Sequence, residues 1–173
     1  MHVMAKAGGW LGGERASNWL ADYVYGTIAT LVAILGLSFE PHPDALSAGA
    51  VIIIGAIAIW LAHGLSQVMA ERRRRPAMTI PLRDVAAEFA SSWAIVSAAV
   101  PATIVMLLAE VGVYSTTTGL RVAQIVGVLA LATVGIVTAG GPQRSVYRRV
   151  GYVTLVTGVG VLIVLLESAA HSL

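Results

Sequence analysis

Leu46 to Met69 reads LSAGAVIIIGAIAIWLAHGLSQVM, and Glu71-Arg72-Arg73-Arg74-Arg75 follows almost at once. The apolar stretch has no proline, aspartate, glutamate, lysine or arginine. A bilayer core of about 30 Å is crossed by roughly 20 apolar residues in α-helix. Leu46–Met69 meets that length, and four guanidiniums then stop it at one surface of a membrane.

Four more windows have the same character: Asn18–Leu37, Ala87–Val111, Thr118–Thr138 and Val150–Leu166. None alternates with period two, so a transmembrane barrel is not expected. The connectors are short and punctuated. Glu40-Pro41-His42-Pro43-Asp44 is a turn. Glu71–Asp84 carries the arginine run with Pro76 and Pro81. Tyr114–Thr117 is a tight polar turn, and Gly140-Gly141-Pro142 breaks the fourth window. None has room for a second domain. The expected fold is all-α: a single polytopic membrane domain over residues 1–173, built as a bundle of five transmembrane helices. Residues 1 to 16, with Gly8, Gly9, Gly12 and Gly13, read as a loose or interfacial arm. The first window is longer than a signal-peptide apolar region, and Gly36-Leu37-Ser38-Phe39-Glu40 makes a poor cleavage site, so it is expected to be retained.

Composition agrees. The chain is 57% hydrophobic and only 12% charged, with a mean hydropathy of +0.82. Soluble domains carry about 25% charged residues. There is no cysteine, which excludes disulfides, thiolate metal sites and cysteine nucleophiles. The net charge of +2 resides in the connectors and does not imply nucleic acid. Ten of the eleven basic residues are arginine. With abundant Ala, Gly and Val, this is the bias of a GC-rich bacterial genome, so a bacterial inner membrane is the expected location.

Orientation follows from lysine and arginine in the short connectors. With the N-terminus inside, Lys6, Arg15, Arg72 to Arg75, Arg83, Arg144, Arg148 and Arg149 are cytoplasmic, and Arg121 alone lies outside. The C-terminus is then outside. Trp19, Tyr23, Tyr147 and Tyr152 fall at the cytoplasmic interface, where aromatic belts form.

Charges at membrane depth are costly, so each is a candidate functional group. Asp22 lies about 6 Å inside the first span, and His63 about 10 Å from the cytoplasmic end of the second, at 1.5 Å per residue. Glu88 opens the third span on the same side. If they converge, a carboxylate and an imidazole at one depth bind a divalent cation or relay a proton. The structural alternative has Asp22 snorkelling or capping, His63 bonding a neighbouring helix, and Glu88 sitting at the interface. On the outer side, Glu110, Arg121 and Glu167 end or begin three spans, and a salt-bridge cluster is the simplest expectation.

In the first span Asp22, Gly26, Ala29, Ala33 and Gly36 share one helix face. Small residues let helices approach closely in lipid. The face serves either packing within the chain or a dimer axis with Asp22 at the mouth of a path. Pro101 is the one proline deep in a span, and a kink is expected there.

The run Tyr25-Gly26-Thr27-Ile28-Ala29-Thr30-Leu31-Val32-Ala33-Ile34-Leu35-Gly36 resembles the first span of the vacuolar iron transporter family. Ala62-His63-Gly64, followed by Leu65-Ser66-Gln67, is similar to that family's second-span element. Gly141-Pro142-Gln143-Arg144-Ser145 resembles its connector between spans four and five. The resemblance implies five spans with the N-terminus inside, a homodimer, and a metal path along the first helix. Three departures are plain. Tyr25 stands where the family has Asp, with Asp22 one turn earlier; His63 stands where it has Glu; and a short arginine-rich connector replaces its long acidic extension. A second set, Arg15, Asp22, Val24, Tyr25, Thr30 and Trp60-Leu61-Ala62-His63, is similar to elements of the lysosomal-type potassium channels. That family has six spans, and its Phe-Ser element is missing here.

No phosphate-binding glycine loop, His-Glu-x-x-His or Ser-His-Asp set appears, so an enzyme is not expected and no cofactor is implied. The expectation is a divalent-cation or proton-coupled transporter with Asp22 and His63 as metal or proton ligands and Glu88 nearby. A non-transporting membrane scaffold and a cation channel are the alternatives. Expected partners are the bilayer, a divalent metal ion and a second copy of the chain.

Overall fold

In the computed structural model the backbone is described for residues 3–74, 81–139 and 146–170. Within these, side chains are described for 17–74, 81–138, 150–151, 153–155, 157–163 and 165. The sequence expectations for Arg75, Arg144 and His171, and for the side chains of Lys6, Arg15, Tyr147, Arg148, Arg149, Tyr152 and Glu167, fall outside these residues.

The described residues form helices and turns only. The order is α1 (Val3–Leu37), α2 (Ala45–Arg74), α3 (Leu82–Ser91), α4 (Ala94–Glu110), α5 (Thr116–Ala139) and α6 (Val146–Ala170). Among them α1 from Ser17, α2 and α5 are each long and apolar enough to cross a membrane. The bent pair α3–α4 makes a fourth if taken as one span. The apolar part of α6 among the described residues is Val153–Ile163, shorter than a crossing requires.

Large apolar side chains line the outside as well as the core. Ile54, Ile104, Leu129, Val137 and Leu155 are all more than half exposed. Apolar surface of that extent does not stay in water, and it fits lipid contact. Several hydroxyl groups are met inside their own helices. Thr27 donates to the Tyr23 carbonyl, Thr30 to Gly26, Thr103 to Ala99 and Thr138 to Val134, all at 2.7–3.0 Å. Back-bonding of this kind satisfies polar atoms where water is absent.

Alanine makes α4 the centre of the bundle. Ala94, Ala98, Ala99, Ala102 and Ala109 are buried on it, and α1, α2 and α5 pack around it. Ile34 and Leu37 of α1, Ala48, Ile52 and Ala56 of α2, Met106 of α4 and Leu120 of α5 fill the largest core cluster. A second cluster joins Leu31 to Leu131, with Val128 and Ile163 against it. Small side chains allow close helix contact, and dispersion then supplies the packing energy.

The third apolar window differs from expectation. It is two helices bent by 43° at Ser92–Trp93, and α4 continues in helix through Pro101. The reason lies in the last turn of α3. Ser91 and Ser92 both turn their hydroxyls onto the Glu88 carbonyl, at 2.7 and 3.2 Å. The next carbonyl, Phe89, accepts the Trp60 indole N–H at 2.8 Å. Serine pairs and an inserted side-chain donor are recognised causes of helix bends. The Trp60 ring also stands edge-on to Phe89 and Trp93, both with centroids at 5.5 Å. The N-terminal segment differs too. Residues 3–16 continue α1 in helix and do not form a loose arm, because no proline interrupts them and each glycine costs only about 1 kcal/mol in a helix.

Helix ends are set by identifiable caps. Gly112 at φ 82° closes α4, with Gly112 N–H donating to Ala109 and Val113 N–H to Leu108. Asp44 caps α2, its carboxylate accepting the Ser47 amide at 2.8 Å. That backbone hydrogen bond holds the Asp44 carboxyl below the usual carboxylate range. A depressed folded value stabilises the fold above the ordinary carboxylate range, and the stabilisation is lost as pH falls through the folded value. Asp44→Asn keeps an acceptor without the charge. The melting temperature of the native chain should exceed that of Asp44→Asn near neutral pH, and the gap should close in strong acid. A gap that does not vary with pH would remove this account.

Candidate functional site

Asp22 lies on α1 one turn after Asn18, and His63 on α2 one turn before Gln67. The two helices run side by side, and the side chains meet: His63 Nε2 is 3.6 Å from Asp22 Oδ1. The expected convergence of this pair is therefore present in the fold. Both groups are part-buried, with side-chain exposures of 27% and 18%. The imidazole is held from several directions. The Gln67 amide approaches Nε2 at 3.4 Å, and the Tyr25 ring lies 6.2 Å away, centroid to centroid. Ser66 donates to the His63 carbonyl at 2.8 Å. On α1, Trp19 stacks on Tyr23 at 5.3 Å. Aromatic rings at this level match a membrane–water interface.

Close backbone contact fixes the pair. Gly26, one turn below Asp22, is buried against α4; a Cβ there would sit 2.5 Å from the Ile95 carbonyl oxygen. Gly64, next to His63, is buried against α3; a Cβ there would sit 2.5 Å from the Phe89 ring. So α1 is pressed on α4 and α2 on α3, and the Asp22 and His63 faces are left turned to each other.

Below the pair, the small-residue face of α1 borders a crevice of about 30 Å³ lined by Gly26, Ala29, Thr30, Ala33, Gly55 and Ile59, among others. This is space for roughly two waters. The Thr30 hydroxyl gives its proton to Gly26, which leaves its lone pairs for anything in the crevice. Of the two uses open to this face, packing within the chain is the one seen from Gly26 to Ala33: it is closed on α4 at Gly26 and turned to α2 at Ala29 and Ala33. At Gly36 it is exposed, with open space beside it.

Other expected site residues are not brought together. Glu88 is half-buried on α3, and what the structure uses is its carbonyl, which accepts from Ser91 and Ser92. Among the described residues no three of His, Cys, Asp or Glu are grouped to hold a metal ion, so Glu88 does not complete a triad with Asp22 and His63. Of the expected outer cluster, only Glu110 and Arg121 are among the described side chains. Glu110 and Arg121 are both exposed, and no ion pair joins them among the described residues. Solvated charges gain little from pairing, which removes the drive to hold two long side chains together.

Sequence reasoning missed Trp60 and Gln67. Gln67 follows His63 by four residues and so shares its helix face, a signal present in the spacing. The role of Trp60 depends on a carbonyl of another helix and left no trace in its own neighbours. Comparison with protein-family models, with curated proteins and with solved structures finds no match for this chain.

Proposed function

We propose that this chain is a proton-coupled membrane transporter in which Asp22 and His63 form the proton-binding site. The observation that carries this reading is their approach at 3.6 Å, one helical turn from Gly26 and Ile59, which line the α1–α2 crevice. An ionisable pair at membrane depth is expensive, and proton relays are one of the uses for which such pairs are kept. Imidazole nitrogen and carboxylate oxygen are both proton acceptors, so a proton has two stations 3.6 Å apart. Thr30 lies further along the crevice, where a water could pass the proton on.

A divalent metal fits less well. Two strong donors fall short of the four to six ligands such ions take. The reading keeps one feature implied by the resemblance to the vacuolar iron transporters, a path along the first helix. It places the N-terminus in the cytoplasm and the C-terminus outside, on the ten-to-one bias of basic residues, with α6 completing a fifth span in a bacterial inner membrane. The narrowness of the crevice favours a second reading, a non-transporting membrane scaffold in which Asp22 and His63 clamp α1 to α2.

Proteoliposomes loaded with a pH-sensitive dye separate the two. The native chain should acidify the lumen under an imposed potential. Asp22→Asn and His63→Gln should each slow this by more than about tenfold while melting within a few degrees of the native chain. Proton flux unchanged in both folded variants, or absent from the native chain, would leave the scaffold reading. For orientation, His42→Cys should react with an impermeant maleimide on intact cells, and Leu82→Cys only after permeabilisation. The reverse pattern would invert the topology.

A further inference from the structure

The arginine end of α2 and the start of α3 form a surface the transport reading does not use. α2 spans 30 residues, about 45 Å at 1.5 Å per residue. A hydrocarbon core is about 30 Å thick, and about 40–45 Å with both headgroup layers. Asp44 and its cap mark one interface, so Arg72, Arg73 and Arg74 fall in the opposite headgroup layer. α3 returns alongside α2, because its Phe89 packs on Gly64 and Trp60. Two turns earlier on α3, Leu82 and Arg83 are therefore level with the last turn of α2.

This surface is basic, open and incompletely neutralised. Arg74 reaches Glu71 at 4.0 Å and Arg83 reaches Asp84 at 3.4 Å, both pairs on exposed surface. Arg72 and Arg73 are exposed and have no carboxylate partner among the described residues. The first turn of α3 begins at Pro81 without a side-chain cap, so its free amides add positive potential. Val85 and Phe89 are half-buried on α3, while Leu82 is left 84% exposed. An exposed leucine next to Arg83, level with the arginine end of α2, is suited to one environment, an acyl-chain boundary beneath phosphate groups.

We propose that Arg72, Arg73, Arg83 and Leu82 form a docking site for the headgroup of an anionic phospholipid. The guanidiniums bind the lipid phosphates through charge-assisted, two-point hydrogen bonds. Leu82 seats among the upper methylenes of the acyl chains. The site depends only on the position of α2 in a bilayer, not on proton transport.

The test uses the full chain purified in neutral detergent and titrated with phosphatidylglycerol, phosphatidylcholine or inorganic phosphate. Thermal melting and native mass spectrometry of retained lipid are the readouts. Phosphatidylglycerol should raise the melting temperature by several degrees and stay bound, and the other two should do neither. The combined Arg72→Gln, Arg73→Gln and Arg83→Gln variant should bind phosphatidylglycerol about 100-fold more weakly, and Arg73→Gln alone about fivefold. If the combined variant does not fold, the single variant decides. Equal binding of both lipids, an undiminished phosphatidylglycerol response in the deciding variant, or the same stabilisation from inorganic phosphate would each overturn the proposal.

Discussion

The contact of Gly26 with the Ile95 backbone sets the geometry of everything near the polar site. A side chain at that position would overlap the Ile95 carbonyl and Cα, so only glycine lets α1 lie directly on α4. In lipid there is no hydrophobic force pulling one helix onto another; close packing of small residues does that work. With α1 seated there, Asp22 is one turn up and turned toward α2. Gly64 performs the same service for α2 against Phe89, and His63 beside it is turned toward α1. A polar pair that would be costly alone is thus held by two glycines that carry no charge.

The bend between α3 and α4 belongs to the same arrangement. Trp60 bonds the Phe89 carbonyl and packs its ring against Phe89 and Trp93, tying α2 to the corner where the chain enters the bundle. Ile95, the floor under Gly26, follows that corner directly, and its amide donates to Ser92 at 3.1 Å. Aromatic rings, the bend and the glycine contact therefore form one continuous support at the level of Asp22 and His63. The arginines lie beyond it along α2. Arginines, aromatic rings, polar pair and narrow crevice follow one another along α1 and α2 over a few helical turns.

The broad fold was legible because it rests on quantities carried by local sequence. The apolar run from Leu46 to Met69 became α2 within a residue at its start, and the small-residue seam of α1 became a packing face. The positions of Asp22 and His63 along their helices could be counted, and the two side chains meet because α1 and α2 are regular helices whose rise is fixed. The bend at Ser92–Trp93 was not legible in the sequence for a physical reason. Losing one helix hydrogen bond is tolerated when neighbours support the helix, whereas Ser91, Ser92 and Trp60 together redirect two successive carbonyls. Trp60 acts across 29 residues of sequence, beyond any local pattern. The outer cluster was expected from the places of Glu110, Arg121 and Glu167 at span ends; Glu110 and Arg121 stay solvated and unjoined, and Glu167 lies outside the described side chains.

Central to this account is the direct interaction of Asp22 with His63. A double-mutant cycle measures it, using the unfolding free energies of the native chain, Asp22→Asn, His63→Gln and the double variant in the same bilayer or detergent. The account predicts a coupling energy of about 0.5–2 kcal/mol, with the second substitution costing less once the first is made. Single effects that add within about 0.3 kcal/mol would show that the two side chains do not sense each other, and would contradict the site.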